Sequence, residues 1–165
     1  MTTHPHTLVI GGTKGIGRTV ARHLASDGDI VSVIGRSKTS EFDGDSRVHV
    51  WTADVAKPAE LDRALSDVVQ TKGSVGSIVL LQRYRGSGDD WTGEIATTLT
   101  ATRQLLEWAG DHLEERGRGK SIVVVSSIAA TYVASEQPVS YHMAKAAVTH
   151  MVRYYGVALG PRLIR

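Results

Sequence analysis

The sequence predicts an α/β fold: a doubly wound parallel sheet, incomplete at its C-terminal end. Short β-branched runs alternate with amphipathic helical stretches along the whole chain, which sets parallel strands side by side with helices on both faces. Glycines crowd the turn after the first apolar run, in "GGTKGIG" at residues 11–17, where a strand gives way to a helix. A chain of 165 residues with 41% hydrophobic content can bury one ordinary core, so residues 1–165 are read as a single domain.

The elements follow in order. "TLVIG" (7–11) is a short apolar run ending in glycine, and "IGRTVARHLASDG" after it puts Ile16, Val20 and Leu24 on one helical stripe. "DIVSVIG" (29–35) and "RVHVW" (47–51) are two further strands, separated by a polar loop rich in Ser, Asp and Gly. "KPAELDRALSDVVQTKG" is a helix, with Pro58 in its first turn and Gly73 past its end. "SIVLL" (77–81) is the fourth strand. A long helix is expected from about Trp91 to Arg116, with Ile95, Leu99, Leu106 and Leu113 on its buried side. "SIVVVSS" (121–127) is the fifth strand, and the last helix carries "YHMAK" (141–145) and runs to about Leu159.

Composition excludes several function classes. The formal charge is +2, and the one basic cluster, Arg116, Arg118 and Lys120 in "ERGRGK", is read as a solvated loop because intervening glycines prevent a rigid phosphate-tracking face. Nucleic-acid binding is therefore not expected. The chain has no cysteine, which removes disulfides, thiolate metal sites and thiol catalysis and suits a reducing compartment. "MTTHPH" has no apolar core of a signal peptide, and "IVLL" and "IVVV" are too short to span a bilayer. A soluble, cytoplasmic protein without a membrane partner is expected. His142 and His150 stand eight apart on one helix, while His4 and His6 are placed in a floppy start. No carboxylate pattern joins them, so no metal site is expected.

The candidate chemistry begins at the first turn. Gly11, Gly15 and Gly17, with Thr13, Lys14 and Ile16 between them, lie where a dinucleotide pyrophosphate can approach the backbone and a helix N-terminus. Glycines there also relieve steric strain without any ligand. About twenty residues later an NAD site offers a carboxylate to the ribose, and a 2′-phosphate site offers arginine. Here the residue is Arg36, which with Lys14 can bracket a 2′-phosphate and points to NADP(H). Asp54 and Val55 follow the third strand and would lie near the adenine; Asp54 reads equally well as a helix-capping carboxylate. Tyr141 and Lys145 share a helix face. Ser127 either serves chemistry or merely finishes a strand, as Ser126 does beside it.

Taken together, these places resemble the short-chain dehydrogenase/reductases. "GGTKGIG" looks like their glycine motif, "ADV" (53–55) their adenine-pocket segment, "IVVVSSIAA" the strand bearing their serine, and "SYHMAK" their Tyr-x-x-x-Lys. The resemblance covers almost the whole chain. It implies a Rossmann-type fold and hydride transfer between NADP(H) and a small carbonyl or alcohol compound. It also implies roles: Tyr141 as general acid or base, Lys145 favouring the ionised phenol and binding the nicotinamide ribose, and Ser127 holding the substrate oxygen. A free phenol titrates near pH 10, and an ammonium about 5 Å away supplies roughly 3 kcal/mol at an effective dielectric of about 20.

Three departures from the family pattern stand out. "LQRYRG" puts Leu81, Gln82, Arg83 and Tyr84 where the family has Asn-Asn-Ala-Gly, and Thr98 falls where it has the asparagine behind its lysine. "GPRLIR" ends where family members begin a sixth strand, so the substrate-covering segment is missing and "SIVVVSS" becomes an apolar edge strand that something should cover. "RLIR" reads as a strand cut off at its start, in a fragment of a longer polypeptide. The alternative to an enzyme is a non-catalytic dinucleotide-binding or assembly module on the same fold. The last helix has apolar stripes at Ala147, Met151 and Tyr155 and at Val148, Val152 and Leu159. Together with Leu105, Trp108 and His112 on the helix before it, they predict a homodimer or homotetramer through the last two helices.

Overall fold

The computed structural model describes residues 4–87, 89–115 and 119–165. Its centre is a five-stranded, wholly parallel sheet in the order β3-β2-β1-β4-β5, built from β1 (His6–Ile10), β2 (Ile30–Gly35), β3 (Val48–Thr52), β4 (Ser77–Leu80) and β5 (Ser121–Val124). The strands pair in register, Leu8 with Ser32 and Ile78, and Ile78 in turn with Ile122. Every residue of β1 is buried, as a central strand covered on both faces requires. Leu8 and Ile10 pack with Leu61, Leu65, Val68, Ile78, Leu80 and Leu105 in one core, while Val9 joins Val31, Val33, Ala21 and Ala25 in the other. Each such Leu or Ile contributes roughly 1.5–3 kcal/mol by leaving water.

The first helix, α1 (Gly15–Ser26), corrects the expected stripe. Its buried residues are Gly17, Ala21 and Ala25, whereas Ile16 is 75% exposed and Val20 and Leu24 are half-buried. The reason is proximity. A Cβ on Gly17 would lie 2.2 Å from the Gly11 carbonyl oxygen, so the helix sits too near the sheet for any but the smallest side chains. His6 corrects another expectation. It opens β1, is 1% exposed, and is held by Ser32 Oγ at 2.8 Å and the Ser74 carbonyl at 2.9 Å.

Helix α2 (Pro58–Lys72) runs as the sequence indicates, ending at Gly73 with φ 82°. The long helix expected from Trp91 does not run unbroken. A short α3 (Trp91–Glu94) passes into a π-helical turn at Ile95–Thr100 and then into α4 (Ala101–His112). The wider turn rotates the buried face, so Thr97 and Thr98 are buried and Ile95 and Leu99 only half-buried. Leu106 and Leu113 are buried as expected. Leu113 has already left the helix and bridges to Val75. Arg116 and Arg118 of the basic cluster lie outside the described residues.

Helix α5 (Val139–Leu159) packs through Ser140, Tyr141, Ala144, Lys145, Val148 and Leu159. Val148 and Leu159 therefore face the protein interior, and so does Leu105 on α4, which removes all three from the expected intermolecular surface. Met143, Tyr154 and Val157 are exposed instead. After α5 the chain turns at Leu163, whose φ is 58°. Ile164 forms a parallel bridge with Lys120, and the Arg165 carbonyl accepts from Ile122 N at 2.8 Å. The β5 edge is thus paired at its start, and Val123 and Val125 further along are exposed. No helix among the described residues is long and apolar enough to cross a membrane.

The packing of α1 yields a paired test. Gly17→Ala places a methyl against the Gly11 carbonyl and is expected to cost at least about 1–3 kcal/mol. Gly156→Ala, in an exposed stretch of α5 with nothing near the added carbon, is expected to stabilise by up to about 1 kcal/mol. Urea denaturation of both variants measures the contrast.

Candidate active site

All parallel strands deliver their C-terminal ends to one side of the sheet, and a cavity of about 420 Å³ opens there. This is where open α/β sheets bind ligands. The glycine turn supplies Gly11, Thr13, Lys14, Gly15, Ile16 and Gly17; the segments just after β2 and β3 supply Arg36, Asp54 and Val55; α5 supplies Tyr141 and Lys145. Every site residue expected from the sequence therefore lines one cavity, except Ser127.

The turn is shaped by contact. Gly11 has φ 81°, and a Cβ there would lie 3.0 Å from Gln82 N, so the β1 and β4 turns touch along their backbones. Its amide is anchored by the Ile34 carbonyl at 2.8 Å. Thr13 fills the space over Gly35, where a Cβ would lie 2.7 Å from its methyl. The N-cap of α1 is Lys14, without a side-chain cap and without an acid in the first turn. Its first amides and the positive end of the helix dipole are left for an anion.

Asp54 lines the cavity while its carboxylate accepts from Ala56 N at 3.1 Å. It closes a turn ahead of α2, whose N-cap is Lys57, so it is not the helix cap. Lys14 and Arg36 are both exposed at the cavity, and neither is ion-paired among the described residues.

At the other end, Lys145 is 4% exposed and its Nζ donates to the Val125 carbonyl at 3.0 Å. The same Nζ lies 5.8 Å from the Tyr141 ring centre. Burial holds the ammonium below the ordinary lysine range; the Glu94 carboxylate opposes this and the Arg83 guanidinium reinforces it. Arg83 lies over the Tyr141 ring at 4.7 Å and donates to Gln137 Oε1 at 2.7 Å.

The two serines divide their work. Ser126 lines the cavity, and its hydroxyl meets Thr149 Oγ1 at 2.7 Å, tying β5 to α5. Ser127 accepts from Ala129 N at 3.2 Å and opens a 3₁₀ turn at Ile128–Ala130. An accepted bond leaves the hydroxyl proton free to donate.

The segment after β4 is firmly held. One end of the Gln82 amide meets Thr102 Oγ1 at 2.8 Å, and the other is buried with no partner among the described residues. The Tyr84 hydroxyl donates to Asp90, which also caps α3 by accepting from Gly93 N at 2.8 Å. Thr98 donates to Glu94 Oε1 at 2.5 Å, and both residues are buried. Sequence reasoning missed Glu94, Gln82 and the Arg83 contact with Tyr141. For Gln82 and Arg83 the only signal was their departure from the family's Asn-Asn-Ala-Gly; Glu94 gave none.

The sequence matches the short chain dehydrogenase family over residues 5–165, and the chain belongs to that family. It is 30% identical to the L-rhamnose 1-dehydrogenase (NAD(P)(+)) of Azotobacter vinelandii, over 96% of this chain and 68% of that protein. It is 29% identical to dehydrogenase/reductase SDR family member 4 of Homo sapiens, over 96% of this chain and 62% of that one. Among solved structures, a 3-ketoacyl-ACP reductase from Sinorhizobium meliloti 1021 superposes with a TM-score of 0.83 at 31% identity, over 98% of this chain and 69% of that one. The chain spans 62% to 68% of the length of these two curated relatives.

Lys145 generates a pH test. Its folded value lies below the ordinary 10.5, so between the two values the unfolded chain holds the extra proton and stability rises with pH. Below the folded value both states are protonated and the slope vanishes. Lys145→Met is expected to remove that alkaline rise, so that its stability relative to wild type falls as the pH climbs toward 10.5. Urea denaturation across that range measures it, and parallel curves for the two proteins would contradict it.

Proposed function

We propose that the chain is the dinucleotide-binding part of an NADP(H)-dependent oxidoreductase acting on a small carbonyl or alcohol compound. The observation that carries this reading is one cavity with two cations, Lys14 and Arg36, free of ion pairs among the described residues near its glycine turn, and a buried Tyr141–Lys145 pair at its far end. The residues suit the cofactor. The uncapped α1 N-terminus fits a pyrophosphate, Arg36 and Lys14 fit a 2′-phosphate, and the Gln82 amide oxygen, without a partner among the described residues, can accept a hydrogen bond from a ribose hydroxyl or the adenine amino group. When bound, the nicotinamide supplies the hydride. Tyr141 exchanges a proton with the substrate oxygen and Lys145 supplies positive charge beside the phenol; Ser127 keeps a hydroxyl proton for the same oxygen but lies outside the cavity lining and would have to reach it from the 3₁₀ turn. The name of the Azotobacter relative admits both nicotinamides, so the preference of this chain rests on Arg36 and Lys14.

Titration with NADPH and NADH, followed by nucleotide fluorescence, tests the cofactor. Wild type should prefer NADPH by tenfold or more, the worth of about one charge-assisted contact, and Arg36→Asp should abolish the preference. Equal affinities in wild type would overturn it. In protein that turns over, Tyr141→Phe should abolish turnover and leave NADPH affinity nearly unchanged. The position of Ser127 outside the cavity lining favours a second reading, a dinucleotide-binding or assembly module without turnover. Cofactor binding with no oxidation of NADPH by any ketone would select it.

We also propose a homodimer or homotetramer through the exposed faces of α4 and α5, in a soluble, cytoplasmic protein. Tyr154 and Val157 are 66% and 81% exposed, so Tyr154→Glu with Val157→Glu should lower the mass seen by light scattering without unfolding the chain. A monomeric wild type would refute it.

A further inference from the structure

The cavity holds more positive charge than a dinucleotide site accounts for, and the surplus lies at the catalytic end. Its lining includes Lys14, Arg36, Arg83, Arg85 and Lys145 against one carboxylate, Asp54, which is already engaged by Ala56 N. Neither Arg83 nor Arg85 is ion-paired among the described residues. The only hydrogen bond of Arg83 among them is to Gln137, so most of its five N–H donors are available. Gln137 directly precedes Pro138, the N-cap of α5, so this bond fixes the guanidinium relative to Tyr141.

Arg83 and Lys145 also face the same ring, at 4.7 Å and 5.8 Å from its centre. Two cations so placed repel each other, and that repulsion is one cause of the depressed titration of Lys145. An anion beside the ring would relieve it and would meet a planar fork suited to a carboxylate. In the dinucleotide reading the cofactor phosphates find their partners at the glycine turn, whereas Arg83 is stacked on Tyr141, the side chain that would meet the substrate.

We propose that Arg83 anchors a carboxylate of the substrate, so that the compound acted on at Tyr141 is a small oxo acid or hydroxy acid with its reacting carbon one or two bonds from the carboxylate. This rests on the dinucleotide reading of the cavity and names the substrate class of the same site. Arg85, on the same segment and in the same lining, adds to the field that draws an anion in.

Binding distinguishes this from its rivals. Benzoylformate and 2-oxobutanoate are compared with their uncharged methyl esters by saturation-transfer NMR, with and without NADPH, on wild type and Arg83→Gln, and NADPH affinity is measured on the same samples. Wild type should bind the acids at least about tenfold more tightly than the esters, and Arg83→Gln should erase that preference while NADPH affinity stays unchanged. Equal binding of acid and ester, or no binding of either, overturns the proposal. So does a variant that loses NADPH affinity while keeping the preference for the acid, since Arg83 would then serve the cofactor. Failure of the dinucleotide reading shows separately, as wild type that binds no NADPH, and the acid preference is still read in the nucleotide-free samples.

Discussion

The near contact between Gly17 and the carbonyl oxygen of Gly11 governs the rest of the molecule. At 2.2 Å from that oxygen there is no room for a Cβ, so the first turn of α1 lies directly against the end of β1. Two things follow from this closeness. The helix can bury only small residues, Ala21 and Ala25, against the sheet, and its uncapped N-terminus points along the cavity at the strand ends. The chain gives up large apolar contacts on α1 and gains a turn that can receive phosphate on bare backbone.

The same turn shows how much was legible beforehand. Glycines at a strand-to-helix junction can be explained by steric relief alone, but in sequence with "ADV" and "SYHMAK" they resemble one family's motifs, and from that resemblance the parallel sheet and the site roles of Arg36, Asp54, Tyr141 and Lys145 could be anticipated. The stripe of α1 could not, because periodicity rewards large apolar residues and the contact selects against them. His6 looked like part of an unstructured start because a histidine in a short apolar run carries no sign of its partners, Ser32 and Ser74. The break in the long helix was equally hidden, since Ile95–Thr100 has no proline or glycine to announce a π turn.

The Tyr141 end of the cavity was legible in its residue types and not in its contacts. Tyr141 and Lys145 are four apart on a helix, which any reading of the chain reveals. That Lys145 is almost wholly buried, bonded to the Val125 carbonyl and within the fields of Glu94 and Arg83 depends on where the β4 segment and the π turn run. Burying an ammonium is costly. A buried, perturbed ammonium in a cleft is what makes this end a candidate site. Gln82 adds a second cost, a buried amide end without a partner among the described residues. In the proposed complex a polar, anionic ligand would offset both costs, by its charge at Lys145 and by a hydrogen bond at Gln82.

The central claim is that this one cavity seats a phosphorylated nicotinamide dinucleotide with its two ends assigned. A crystal structure of the chain with NADPH tests it most directly. The account predicts the 2′-phosphate within hydrogen-bond distance, about 3 Å, of Arg36 and Lys14, the pyrophosphate on the amides of the glycine turn, and the nicotinamide beside Tyr141 and Lys145. A dinucleotide bound elsewhere, or one whose pyrophosphate is held by Arg83 while Arg36 and Lys14 stay free, would contradict it.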